Sequence, residues 1–280
     1  MSRTPAEIRA LITLLGDDDR NIRDIARDEL LRTGEAADTL LEQVAFSDAE
    51  GRIRIEAQAI LEENRLQHLN RAFGRLNQTR DFDLEEASFL LAQVEYPNLD
   101  VSAYTGRIDE LAFGVEKKIQ AVRDEKRRVE TINQFLFVEQ GFHGNRKAYY
   151  DAQNSFINQV LDRRRGIPIS LSAIYLFIAR RLRLPVCGIG FPCHFLLKYR
   201  RGSPSFFIDP FNRGQILSRQ DCEQFLNKMG CAARNLYFAQ SEPKEIFARM
   251  IRNLVLIYQQ ENKLKKIANL ERVFHQLVVK

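Results

Sequence analysis

The chain has 280 residues, 45% hydrophobic and 28% charged, enough apolar content for one large or two modest cores and no sign of a disordered chain. Lys and Arg number 42 against 37 Asp and Glu, a net charge of +5 that is basic without being extreme. Four cysteines without a CxxC pair and four scattered histidines exclude a disulfide scaffold and a zinc-ligand spacing, so no metal and no cofactor is expected.

The N-terminus lacks the apolar core of a signal peptide, and no run of 18 apolar residues occurs. The expectation is a cytoplasmic protein that does not cross a membrane. Residues 1–66 carry an internal repeat: the stretch 21–30 recurs 31 positions later as 52–61, pairing Ile22 with Ile53, Arg23 with Arg54, Ala26 with Ala57 and Leu30 with Leu61. Each copy follows an apolar helix (8–15, then 40–46) and an acidic turn (17–19, then 47–50). This helical hairpin repeated twice resembles a HEAT-type repeat, and it reads either as a docking surface or as a structural cap.

Residues 67–140 read as wholly helical. Asp83 with Glu86 marks a helix start, Leu84, Ala87, Leu90 and Leu91 give its apolar face, and Pro97 ends it. Ile108, Leu111, Ala112 and Val115 mark the next helix, and Ile132, Phe135, Leu136 and Val138 resume an apolar face. From 141 to 216 the character changes. Short apolar runs at 186–191, 195–199 and 206–208 predict a small antiparallel sheet, with turns at 202–204 and 212–214. Ahead of it, Pro168 leads a helix whose apolar face is Leu171, Ile174, Tyr175, Ile178, Ala179 and Leu182. Arg163, Arg164 and Arg165 precede Gly166, which reads as a helix stop. Ser218 with Asp221 starts a helix to about Lys228, and two amphipathic helices at 243–260 and 263–278 form a hairpin resembling a single TPR-like unit.

Two strands carry the chemistry. The run 190–199 reads as a strand holding His194, and 206–211 as a strand reaching Asp209. A histidine and a carboxylate on neighbouring strands are two members of a nucleophilic triad, or a buried pair that locks a sheet. Arginine runs at 163–165, 180–183 and 200–201 suit an acidic partner or nucleic acid. They suit solvated faces and helix C-termini better, since no aromatic residues interleave with them.

The residues 154–175, 179–185, 190–197 and 207–211, with Gly141 to Asn145, Tyr150 and Asp151 before them, resemble the transglutaminase-like core of bacterial proteins related to an invasion-gene regulator. In that family the core commonly precedes a TPR-like tail, and a related core occurs in an F-box protein. The resemblance covers 135–280. It implies an α+β fold with a papain-like core, in which a cysteine at the start of a helix faces a histidine and an aspartate on adjacent strands. His194 matches the histidine and Asp209 the aspartate.

The cysteine does not appear. An ungapped alignment puts Pro168 at its place, with Ser170 and Ser172 nearby. Ser170 is either a nucleophile that needs His194 as general base or a first-turn residue bonding a free backbone N–H. Cys193 adjoins His194, but alternation along a strand would turn it to the opposite face. Cys187, Cys222 and Cys231 read as buried or incidental thiols. Asn154, Tyr149 and Tyr150 are expected near the cleft with Pro168, Ser172 and Cys193. The expected organisation is helical repeats at 1–66, a helical region at 67–140, the core at 141–240 and a hairpin at 241–280. The expected function is a non-catalytic protein-interaction or regulatory module, with a protein partner on its helical repeats and neither nucleic acid nor membrane. The alternative is a papain-like hydrolase or acyl-transferase of peptide or amide bonds that uses His194 and Asp209 with a serine or cysteine.

Overall fold

Most helix starts follow from side chains that satisfy the first free N–H groups. The computed structural model describes residues 3–46, 50–201 and 205–278, and the chain divides into two compact units, Met1–Gly74 and Arg75–Lys280. In the first, α1 (Pro5–Leu14) opens on a capping box between Thr4 and Glu7. Asp19 caps α2 (Arg20–Thr33), and Gly34, at φ 63°, turns the chain directly into α3 (Glu35–Ala45). The helix α4 spans Gly51–Gln78. Ala26 and Leu30 of α2 and Ala57 of α4 share a core with Ile8, Ile12, Leu15, Leu41 and Ile60, so the repeated positions 26, 30 and 57 are internal. Ile22, the first repeat position, is 37% exposed. The acidic turn expected over 47–50 lies mostly outside the described residues.

The second unit starts with α5 (Leu84–Glu95), whose N-cap Asp83 accepts the N–H groups of Glu85 and Glu86 at 2.8 and 3.2 Å. In α6 (Val101–Ile119) the expected face of Ile108, Leu111, Ala112 and Val115 is buried. The helix α7 (Glu125–Asn133) passes into a π-helical turn, Gln134–Glu139. That turn corrects the expected face: one extra residue per turn buries Phe137 at 5% and leaves Val138 60% exposed.

The helix α8 (Ile157–Arg163) and α9 (Pro168–Arg181) flank β2 (Arg165–Gly166), which pairs in parallel with β1 (His143–Gly144). The expected stop at Gly166 is corrected: α8 ends on Arg164 at φ 56°, and Gly166 serves close approach instead. A Cβ there would sit 2.7 Å from the Ser170 Oγ. The amphipathic reading of α9 is also corrected. Ile169, Ser170, Ser172, Ala173 and Phe177 are buried as well as the expected face apart from Leu182, because α9 packs against α5, α6, α8 and the sheet together.

The sheet is antiparallel in the order β3 (Val186–Ile189), β4 (Leu196–Tyr199), β5 (Phe206–Asp209), β6 (Gln215–Leu217). Its register sets Leu197 opposite Ile208, and Ile208 opposite Ile216. The strand β6 adds to the three expected. Between β5 and β6, Arg213 and Gly214 both take positive φ. A Cβ at Gly214 would stand 2.5 Å from the Asn133 side chain, so only glycine fits. The turn expected at 202–204 lies outside the described residues. A Ser218–Asp221 capping box opens α10 (Arg219–Lys228), and α11 (Pro243–Gln260) and α12 (Leu264–Val278) pair as the closing helices. Among the described residues no helix is long and apolar enough to cross a membrane.

Candidate functional site

His194 and Asp209 are in contact. The His194 Nε2 lies 2.8 Å from the Asp209 Oδ2. The carboxylate is nearly buried, at 4% exposure, and it also accepts the Asn212 side-chain amide at 2.7 Å and the Asn212 backbone N–H at 3.2 Å. These bonds orient Asp209 toward the imidazole, and the aspartate occupies Nε2. That leaves Nδ1 as the ring nitrogen available to another group. The ring stands edge-on to Phe211 at 6.0 Å and is tilted against Phe225 of α10 at 5.8 Å.

The strand β4 begins at Leu196, so His194 and Cys193 sit on the turn before it, which corrects the expected strand. Cys193 is exposed and takes φ 56°, and the alternation that would have turned it away does not operate in a turn. The turn is pinned from α11, where Arg249 donates to the backbone carbonyls of Phe191 at 3.0 Å and His194 at 2.7 Å. Burial lowers the Arg249 pKa from its usual value.

A small cavity of about 130 Å³ is lined by Tyr149, Pro168, Cys193, His194 and Arg249 among others. Pro168, at the start of α9, shares this wall with His194 and offers no nucleophilic atom. Burial raises the Tyr149 pKa, so its phenol is neutral at physiological pH. A second cavity of about 270 Å³ also touches His194 and Asp209, with Asn212, Asp221, Cys222 and Phe225 in its wall.

Ser170 is fully buried. Its hydroxyl donates to the Asn154 carbonyl at 2.6 Å and accepts the Ile167 N–H at 3.1 Å, so it is engaged with backbone rather than with His194. Ser172 is also fully buried, and its hydroxyl has no partner among the described residues. Asn154 is internal too. Its amide donates to the carbonyls of Ala148 and Tyr149 at 2.7 and 3.2 Å and accepts from Asn145 at 3.0 Å. Asn154 thus shapes the loop that carries Tyr149 without lining the cleft. Cys187 and Cys222 are buried, and burial pushes the Cys222 thiol up to about 12, which makes both poor nucleophiles.

Arg249, Asn212 and Phe225 were not singled out in the sequence. Asn212 follows Asp209 by three residues and could have been found as a turn side chain. Arg249 carries no such signal, since 55 residues separate it from His194.

The transglutaminase-like superfamily matches residues 102–252, a span that takes in α9, His194, Asp209 and Arg249. A UPF0162 protein of Xylella fastidiosa is 31% identical over 191 residues, covering 66% of this chain and 68% of that protein. One from Vibrio cholerae is 36% identical over 150 residues, 52% of this chain and 55% of that protein. F-box only protein 21 of Mus musculus is 33% identical over 156 residues, which is 53% of this chain but only 24% of that protein. No solved structure matches. Since the family match takes in more than half of its 280 residues, the chain belongs to the transglutaminase-like superfamily.

Proposed function

We propose that this chain is a non-catalytic protein-interaction or regulatory module built on a transglutaminase-like frame. One observation carries the reading: the cavity beside His194 is lined by Pro168 at the start of α9, where the superfamily pattern calls for a thiol. The serines nearby do not replace it, since Ser170 is bonded to backbone and Ser172 is enclosed. The likeness of the core to a quarter of an F-box only protein supports a unit that can be set among other domains. In the N-terminal unit, Ile25 and Ile55 are 63% and 67% exposed, which supports the HEAT-like helices as a surface for a protein partner. The TPR-like reading of α11 and α12 belongs to the same proposal.

Exposure of Cys193 in the cavity it shares with His194 favours a second reading, a papain-like hydrolase or acyl-transferase with a displaced nucleophile. Its base would be His194 and its orienting group Asp209. The test is labelling of the full chain with iodoacetamide and fluorophosphonate reagents at neutral pH, beside a His194→Ala variant. The expected outcome is slow alkylation of Cys193 at equal rates in both proteins, and no label on Ser170 or Ser172. Label that disappears with the imidazole would replace the module by an enzyme.

A further inference from the structure

Several of the cations are paired with carboxylates of the fold. Arg180 and Arg181 bind Asp83, Glu85 and Asp109, and Arg107 binds Asp162. One group differs. A cavity of about 720 Å³ has Arg146, Lys147, Arg163, Arg165, Arg213 and His143 in its wall and no Asp or Glu. Arg163 is held by Asp151 at 2.7 Å. Among the described residues, no carboxylate pairs with Arg146, Lys147, Arg165 or Arg213. Four like charges around one concavity repel each other, and a bound anion relieves that repulsion.

The cavity adjoins the histidine site through one side chain. Arg146 donates to the Asn212 Oδ1, and Asn212 in turn donates to Asp209 at 2.7 Å. We propose that this basic cavity receives an acidic peptide segment of a partner protein, its carboxylates held by Arg146, Lys147, Arg165 and Arg213. The proposal rests on the reading of the core as a binding module and names its partner chemistry.

Guanidinium forks hold planar carboxylates, like phosphates, in two-point contact, and two observations favour peptide over the other anions. The volume is far above what one free phosphate needs and lies within the range of about 300–1,000 Å³ typical of larger ligands. Single-stranded nucleic acid gains much of its affinity from bases stacked on open aromatic faces. Here Phe211 is only 8% exposed, with the Arg146 guanidinium 5.3 Å over its ring and Tyr149 edge-on at 5.9 Å. The His143 ring is tied to the Gly141 carbonyl at 2.9 Å.

The experiment is fluorescence anisotropy on the full chain with a labelled Glu-rich peptide. Its Gln-for-Glu counterpart, a single-stranded oligonucleotide and inorganic phosphate serve as competitors. Arg165 and Arg213 are exposed, so an Arg165→Ala/Arg213→Ala variant should fold, and circular dichroism checks that it does. Lys126→Ala, an exposed cation outside the cavity, is the control. The expected result is binding of the acidic peptide alone, weakened by salt and by about tenfold in the double variant, with the control unchanged. No binding, or binding equal in the double variant, overturns the proposal. Tighter binding of the oligonucleotide or full competition by phosphate overturns it in favour of those ligands. If peptide binding fails while no His194-dependent label appears, the module reading stands and only its acidic partner falls. His194-dependent label removes the module reading, and the partner role with it.

Discussion

The carbonyls of Phe191 and His194 bracket Cys193, and both accept hydrogen bonds from the one guanidinium of Arg249. A turn held at two points cannot swing His194 away from Asp209, so Arg249 is a positioning residue whose contribution is geometric. Replacement by methionine keeps the aliphatic stem and removes both charge-assisted bonds. The expected loss is about 2–3 kcal/mol of stability. The hydrogen-bonded Nε2–H signal of His194 should broaden in nitrogen-15 NMR spectra, and Arg249→Lys should restore only part of both. A loss below about 0.5 kcal/mol with an unchanged imidazole signal would show that the turn holds itself. The His194–Asp209 contact was legible because two short apolar runs, 195–199 and 206–208, separated by a few turn residues imply adjacent antiparallel strands. What lay hidden is that β4 starts two residues after His194, at Leu196. A histidine in a turn and one in a strand give the same local sequence, and only a distant arginine decides between them.

Among the elements, α9 shows how a helix can be buried on all sides and still end in two arginines. Glu85 of α5 is 4% exposed, and its carboxylate accepts Arg180 at 2.9 Å and Arg181 at 2.6 and 2.8 Å. Hydrogen bonding to Glu85 raises the Arg181 pKa, so the guanidinium stays charged at any working pH. This bridge ties the first turn of α5 to the last turn of α9, the helix whose start faces His194. Glu85→Gln keeps the shape but removes the buried anion the two guanidinium groups share, leaving Arg180 with Asp83 and Arg181 with Asp109, and urea denaturation should report a loss of about 3 kcal/mol. Arg180 is half exposed, with 52% of its side chain accessible, and water will soften that figure. A change under about 1 kcal/mol would mean the pair behaves as an ordinary surface bridge. The helices were legible from their caps and apolar spacing, as Asp83 and the Ser218–Asp221 box illustrate. The π-helical turn was not, because its bond from the Gln140 N–H to the Phe135 carbonyl depends on packing rather than on residue type. The partners of the arginine runs were hidden for a related reason: sequence shows the cations but not the carboxylates that the fold brings to Arg180 and Arg181.

Across the whole molecule, the buried titratable groups set a pH window for the folded state. Burial raises the pKa of Cys187, of Cys222 to about 12 and of Tyr96 to about 12, and it acts in the same direction on Tyr175, Tyr199 and Tyr258. In the unfolded chain these thiols and phenols ionise near pH 8.5 and 10. Between the unfolded and folded values, the folded state holds protons that the unfolded state has released. Stability is therefore intact below about pH 8 and falls as pH rises, by about 1.4 kcal/mol per pH unit for each group inside its window. The acid side has the opposite sign. The Ser218 hydroxyl holds Asp221 below its usual range and the Ser102 hydroxyl does the same for Asp100, so these caps support α10 and α6 above about pH 4. Their contribution disappears as pH falls through the lowered values. Thermal unfolding followed by circular dichroism should give a plateau from about pH 5 to 8, with a decline at alkaline pH steeper than a solvated thiol or phenol would cause. Replacing Cys222 by alanine should remove part of that alkaline slope while lowering the plateau, since it also empties a fully buried site. A melting temperature at pH 10.5 equal to that at pH 8 would mean that these side chains meet solvent in the native state, and the enclosed core around Cys222 and Phe238 would have to be redrawn.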